Sequence, residues 1–467
     1  MLQQLLKIEQ LGYNLVVYFF NIKASIWRPF FIFDKSYFMK EFLFKKGIVL
    51  FLLGLYIISG YIPNFGAVDR VSNQWFFLNA LNIISFLYVI YNNSNFIFKY
   101  KKILVNPITI IFFTFIIWGL FSYFYAINPN EVIIKFSRWF NVFCGLLLVS
   151  ILLKAFKNPF KTLAYLMSLG LLVEISTSLF QYFNLLETTF YDFGKAFYIK
   201  GLTANKNITS ASMVVKLPFL IYLIWNSSKP ILKYTYSGIL FFAFYNVILL
   251  SSRATYISIT IMIILITLYF IISGIKHKTL IKNINQYLSY PILAFSCSIL
   301  FSIIGLGSDN SASITNRIST VNTNDTSTNQ RIRYYGHALN QIEHNPIIGA
   351  GMGSWKVKSI KYDHLNMEGY TVPYHAHNDF LEIAAELGLI GFLLYFSIFI
   401  IIGFYFLKRI IYYKIENKGV VISIILGLSL IGYLIDANLN FPHARVINQI
   451  NLIFIIAGFL NFKHETI

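Results

Sequence analysis

The chain is a succession of long, uninterrupted apolar runs, and that pattern limits its fold more than any motif does. Runs near 47–63, 75–92, 104–126, 139–156, 162–186, 207–226, 235–251, 254–274, 287–306, 380–407, 418–436 and 446–461 each approach the roughly 20 residues a helix needs to cross a bilayer. They are continuously apolar rather than alternating, so they read as helices and not as barrel strands. The expected architecture is all-α: a polytopic membrane helical bundle of about twelve transmembrane helices. Charged residues make up only 12% of the chain, against about a quarter in soluble domains. Mean hydropathy is +0.63.

The net charge of +19 would suggest nucleic acid in a soluble protein. In a membrane protein it is the ordinary enrichment of Lys and Arg in cytoplasmic loops, so no nucleic-acid partner is expected. Lys99, Lys101 and Lys102, then Lys154, Lys157 and Lys161, then Lys229 and Lys233, then Lys276, Lys278 and Lys282, then Lys408, Arg409 and Lys414 all fall in alternate loops. By the positive-inside rule that side is cytoplasmic, and both termini lie with it. Residues 1–46 mix lysines with aromatics and read as a cytoplasmic, interfacial segment. The bundle then divides into 47–306 and 379–467, separated by one long, partly helical periplasmic loop, 307–378. Cys144 and Cys297 sit inside apolar runs and suggest neither a disulfide framework nor a thiolate metal site.

The opposite loops break the charge rule. They hold Asp69 and Arg70, then Glu131, Lys135 and Arg138, then Lys195, Lys200 and Lys206, then Arg253 in a very tight turn, then the long loop, then Phe-Pro-His-Ala-Arg ending at Arg445. Basic residues at external helix ends need another reason, and binding an anion supplies one. Arg253 suits a phosphate, because a guanidinium bonds two oxygens at once. Arg138 and Arg445 could equally be interfacial anchors.

Within the long loop, 307–330 is Ser/Thr/Asn-rich and reads as flexible. From Arg331 the pattern turns helical, with Ile332, Tyr335, Leu339 and Ile342 at helical spacing, until Asn345-Pro346 ends it. Arg333 reads as solvated. GAGMGSW (349–355) is a tight turn and not a nucleotide fingerprint, since no strand precedes it and no Lys-Ser/Thr follows. His375-Ala376-His377-Asn378 precedes the next apolar run. Two histidines at this spacing make a weak metal signal, because no carboxylate or thiolate has supporting spacing. They also suit a general base acting on a hydroxyl. Glu382 and Glu386 lie one helical turn apart near the mouth of that run, where pairing with an external arginine is expected.

SSRATY after an apolar run, then RIRYYGHALNQIEHNPIIGAGMGSW, then HAHNDFLEIAAELGLIGF together resemble the O-antigen ligase and polymerase superfamily. The shared pattern is an Ser-Arg-small turn, an Arg-led helix with an aromatic four residues on, a Pro–Gly-x-Gly turn, and His-x-His-Asn leading into a helix. The likeness covers roughly residues 200–400 in detail. Tyr335 stands where members often have Trp, a conservative departure. The NFPHAR stretch is similar to a feature of some members.

The resemblance implies a GT-C-like integral membrane glycosyltransferase at the outer face of the bacterial inner membrane. Its donor would be an undecaprenyl-diphosphate-linked glycan, and its acceptor a lipid A-core sugar or other glycan. It would use no cofactor and no metal. His377, Arg331 and Arg253 match the family's important positions, with His377 preferred over His375 because it directly precedes Asn378. In this reading His377 is the base, and Arg253 and Arg331 take the diphosphate with help from Arg138, Lys200 and Lys206. His375, Asn378 and Arg445 are secondary candidates. The leading function is O-antigen ligase. A repeat-unit polymerase and a protein O-oligosaccharyltransferase share the donor chemistry and stand behind it. A polysaccharide transporter is the reading from another class, disfavoured because the suspect residues gather at one face rather than at mid-membrane.

Overall fold

The computed structural model describes residues 46–69, 71–92, 96–278, 284–306, 311, 326–367, 372–413 and 417–462. Arg70, Lys282, Lys414, residues 1–45 and nearly all of the 307–325 stretch, for which expectations were stated above, lie outside the described residues. Among the described residues there is no strand. The helices are α1 (Gly47–Ser59), α2 (Ser72–Tyr91), α3 (Phe96–Leu104), α4 (Pro107–Phe121), α5 (Pro129–Leu153), α6 (Pro159–Leu186), α7 (Lys206–Trp225) and α8 (Pro230–Leu250). Then come α9 (Arg253–His277), α10 (Ser289–Leu306), α11 (Thr326–His344), α12 (Trp355–Asp363), α13 (Asp379–Tyr412), α14 (Lys418–Leu439) and α15 (Val446–Phe462).

Nine of these are long and apolar enough to cross a membrane, and α1, α10 and α15 are shorter apolar helices. Together they answer the twelve expected spans one for one. Their starts are marked in the sequence. Pro107, Pro129, Pro159 and Pro230 occupy first-turn positions, where the missing N–H costs nothing. Asn106, Asn205, Asn378 and Asn417 cap α4, α7, α13 and α14 by accepting first-turn amides.

The bundle is organised around α7, α14 and α15. Every residue of α15 except Asn461 is buried. It packs on α1, α5, α6, α7 and α14. Burying a helix all round leaves its polar side chains to find protein partners. Asn451 Nδ2 donates to Ser212 Oγ at 3.0 Å, and Lys216 Nζ lies 2.8 Å from Glu174 Oε1, which also accepts from Ser212. This buried cluster ties α6, α7 and α15 together. On the rim, outward residues such as Phe51, Ile83, Leu265, Ile304 and Phe404 are exposed, as lipid contact requires.

Basic residues gather at both ends of the bundle. At one end Lys154 approaches the Tyr100 ring, and Arg409 donates to the Phe462 carbonyl. At the other end Arg253 and Arg331 share one cleft, and Arg138 and His375 share another.

The glycine-rich turn has a larger role than its sequence suggests. Helix α13 is broken near its start, at Gly388 (φ 66°, ψ −167°). A break strands carbonyls that no water reaches. The turn repairs it. Ala350 N donates to Ala385 O (3.1 Å) and Gly351 N to Glu386 O (2.8 Å), while Leu389 N donates to Pro346 O (2.8 Å). Trp118 Nε1 takes the Leu387 carbonyl at 3.1 Å. Gly349 lies at φ 74°, and a Cβ there would collide with the Glu386 backbone. Only glycine fits this approach.

Candidate active site

The turn Tyr374–Asn378 is built by its neighbours. Asn378 Oδ1 accepts from Phe380 N and Leu381 N at 3.0 and 3.1 Å, starting α13. Ahead of it His377 sits at φ 56°, a left-handed conformation a non-glycine residue adopts only when held there. Glu382 Oε2 accepts from Ala376 N at 3.0 Å, and the Tyr335 hydroxyl lies 3.1 and 2.8 Å from the His377 and Asn438 carbonyl oxygens, which share its one O–H. The His377 ring lies between Tyr334 (6.0 Å, stacked) and Phe441 (5.0 Å, edge-on). His375 stacks on Phe441 at 4.4 Å.

Burial pushes His377 down to about 4, with the Arg331 charge adding to the effect. His375 also falls to about 4 through burial, partly offset by Glu382. Both are neutral imidazoles near neutral pH. His443 behaves differently. Burial alone would lower it, but Asp379 and Glu382 push it up to about 9. Its Nδ1 lies 2.6 Å from Asp379 Oδ1, and its Nε2 3.1 Å from Glu382 Oε1 without hydrogen-bond alignment.

Two openings flank this turn. The first is a cleft of about 500 Å³ containing Arg253 and Arg331, with Tyr335 and Ile332 on one side and Ile257 and Ile261 on the other. No acidic residue lines it among those described. Arg253 is there because α8 ends in a left-handed Ser251 and α9 begins two residues later. Arg331 reaches in from α11, its Nη2 donating to Asn440 Oδ1 at 3.3 Å. Helix α11 begins at Thr326, five residues before the expected start, and buries Tyr334, Ala338 and Gln341. That orientation turns Ile332 and Tyr335 toward the cleft.

The second opening is a narrow slot of about 30 Å³ beside His375, lined by Lys135, Glu382, Glu386, His443, Trp75 and Trp139 among others. Its charges are paired. Lys135 Nζ lies 3.0 Å from Glu382 Oε1 and 2.7 Å from Glu386 Oε2. Lys356 Nζ lies 2.8 Å from Glu131 Oε2, and Arg138 Nη2 2.6 Å from Asp69 Oδ2. The expected arginine partner of Glu382 and Glu386 is thus a lysine, carried in on α5. Arg333, expected to be solvated, holds Asp363 at 2.7 Å.

His375, Glu382 and His443 bring three potential metal-ligand atoms within 4.8 Å of one another. The donor set does not fit a metal. Lys135 already supplies the cation to Glu382, and His443, cationic between two carboxylates, has no lone pair to offer.

The other sequence candidates are placed elsewhere. Arg138 lines the slot and pairs with Asp69. Lys200 is exposed, and the buried Lys206 ammonium lies 4.2 and 4.0 Å from the Phe193 and Phe197 ring centres. Arg445 lies over Phe441 at 5.3 Å. Of the five basic residues assigned to the diphosphate, only Arg253 and Arg331 line the large cleft.

Residues 238–396 match the family model described as O-antigen ligase. That stretch is similar to the O-antigen ligase family. No curated protein matches the chain. The matched stretch contains Arg253, Arg331, His375, His377 and Glu382. Much of what orients them comes from outside it. Lys135 arrives from α5, Asn438 from the end of α14, and Asn440, Phe441 and His443 from the segment joining α14 to α15. Sequence reasoning missed His443. Its only local signal is its place after Pro442, at the mouth of a buried helix rich in Asn and Gln.

Proposed function

We propose that the protein is a membrane glycosyltransferase that moves a polysaccharide from undecaprenyl diphosphate to a lipid A-core sugar hydroxyl. The reaction takes place at the periplasmic face of the inner membrane. The observation that carries this reading is the meeting of Arg253 and Arg331 in one cleft that is otherwise apolar or hydroxyl-lined. Two guanidiniums suit a diphosphate, and the isoleucine wall suits the first part of a polyprenyl tail. The family match supports the same class of substrate.

The step is a single displacement. The acceptor oxygen forms a bond to the sugar anomeric carbon as the bond from that carbon to the diphosphate oxygen breaks. The electron pair leaves on the diphosphate, where Arg253 and Arg331 stabilise it. His377 takes the acceptor's proton. The Arg331 charge that depresses His377 is partly cancelled when the diphosphate binds. Donor binding therefore makes the imidazole a better base at the moment it is needed. The configuration at the sugar carbon inverts, and neither metal nor nucleotide sugar takes part.

The test is the lipopolysaccharide ladder of a deletion strain complemented with wild type or His377→Ala. Loss of every ladder band, with carrier-linked polymer accumulating, is the expected result without active protein. A single-repeat band that persists would identify a polymerase. An unchanged ladder would overturn the reading.

A further inference from the structure

We propose that the slot beside His375 anchors an uncharged, hydroxyl-bearing arm of the acceptor sugar, next to the separate hydroxyl that reacts at His377. This rests on the glycosyltransfer proposed above and names where its second substrate binds. Several observations point the same way. Both openings adjoin the turn that carries the base: His375 lines the slot, and Tyr335, which reaches the His377 carbonyl, lines the cleft.

The chemistry of the lining is that of a hydroxyl site. Each charged group there has a counter-charge, Lys135 with Glu382 and Glu386, Lys356 with Glu131, Arg138 with Asp69. A charged ligand would have to break one of these pairs. A hydroxyl can both donate and accept beside them without breaking any. Two buried ring nitrogens of lining residues, Trp75 Nε1 and His443 Nε2, have no aligned hydrogen-bond partner among the described residues, a need that hydroxyl oxygens can meet. At about 30 Å³ the slot holds a water-sized group. It therefore admits a hydroxyl or hydroxymethyl arm and leaves the ring at the mouth. There Tyr374, 57% exposed, offers an aromatic face, and the half-buried Lys356 lies opposite.

The experiment measures initial rates in membranes of the deletion strain carrying wild type, a Lys356→Ala/Tyr374→Ala variant, or Arg331→Lys. The donor is undecaprenyl-diphosphate-linked polymer. The acceptors are the strain's own rough lipopolysaccharide and, separately, the carrier-linked single repeat. The mouth variant is expected to raise the acceptor KM about tenfold, the scale of one lost binding contact, while leaving the donor KM within about twofold. Arg331→Lys is expected to do the reverse. Whichever acceptor shows the shift is the natural source of the hydroxyl. An unchanged acceptor KM in the mouth variant, or an equal rise in both constants, overturns the slot assignment while the reaction stands. Wild-type membranes that transfer to neither acceptor overturn the reaction and the slot together.

Discussion

The arginine cleft and the paired slot follow opposite electrostatic plans. The cleft concentrates positive charge, and among the described residues no carboxylate lines it. The slot sets Lys135 against two glutamates and His443 against two acids, with little net charge left over. The difference teaches what each can be asked to do. Two guanidiniums gathered in one cleft suit the binding of an incoming anion. A balanced set of buried charges is a scaffold, because removing any member leaves another uncompensated in a medium of low polarity. Side-chain loss should therefore act on activity in one region and on stability in the other.

His377 is the proposed base, so His377→Ala should have the largest effect. Transfer is expected to fall about 10²- to 10⁴-fold, the usual worth of a general base, with little change in melting temperature. Full activity in a ladder assay would remove His377 as the base. Next, Lys135→Met should cost about 3–5 kcal/mol of stability, as for other broken buried pairs, read by thermal unfolding in detergent. A melting temperature equal to wild type would break the scaffold half of the comparison. Arg331→Ala should do the converse, lowering donor kcat/KM about 10²- to 10³-fold at a stability loss below about 1.5 kcal/mol, the scale of its bond to Asn440.

His443 sharpens the contrast through pH. Its folded value is raised from 6.5 to about 9 by Asp379 and Glu382, against burial and the nearby Lys135. The sign follows: the stabilisation is fully present below pH 6.5 and is lost as pH rises through about 9. A shift of this size corresponds to roughly 3 kcal/mol. Unfolding of wild type minus that of His443→Gln, measured from pH 6 to 10, should show that decline; a constant difference would contradict it. Smallest of all, Arg333→Ala removes a pair with Asp363 that is partly open to water. It should change stability by less than about 1 kcal/mol and leave transfer untouched.

The sequence made the bundle legible because each membrane helix announces itself locally, as an apolar run opened by Pro or Asn. Arg253, Arg331 and His377 also stand out in the sequence, each next to a turn where its residue type is out of place, and the structure brings Arg253 and Arg331 into one cleft. The slot was not. Lys135 looked like one more basic residue at a helix end, and its partners lie 247 and 251 positions away. His443 reaches Asp379 across 64 positions, and neither residue carries a motif that points to the other. Contacts of this kind depend on how helices rotate against one another, which periodicity in a chain apolar on every face does not specify. Arg333 misled for a related reason: its acid, Asp363, lies on a separate short helix beyond the glycine turn.

The broken start of α13 also bears on how such chains can diverge. Carbonyls at 385 and 386 are completed by amides at 350 and 351, and the amide at 389 by the carbonyl at 346. These two stretches form one module although some thirty positions separate them. Exchange of segments between relatives should succeed when both crossover points lie outside 346–390. A hybrid joined inside that interval would pair one ancestor's turn with another's break, and its membrane helix would inherit a gap that nothing fills.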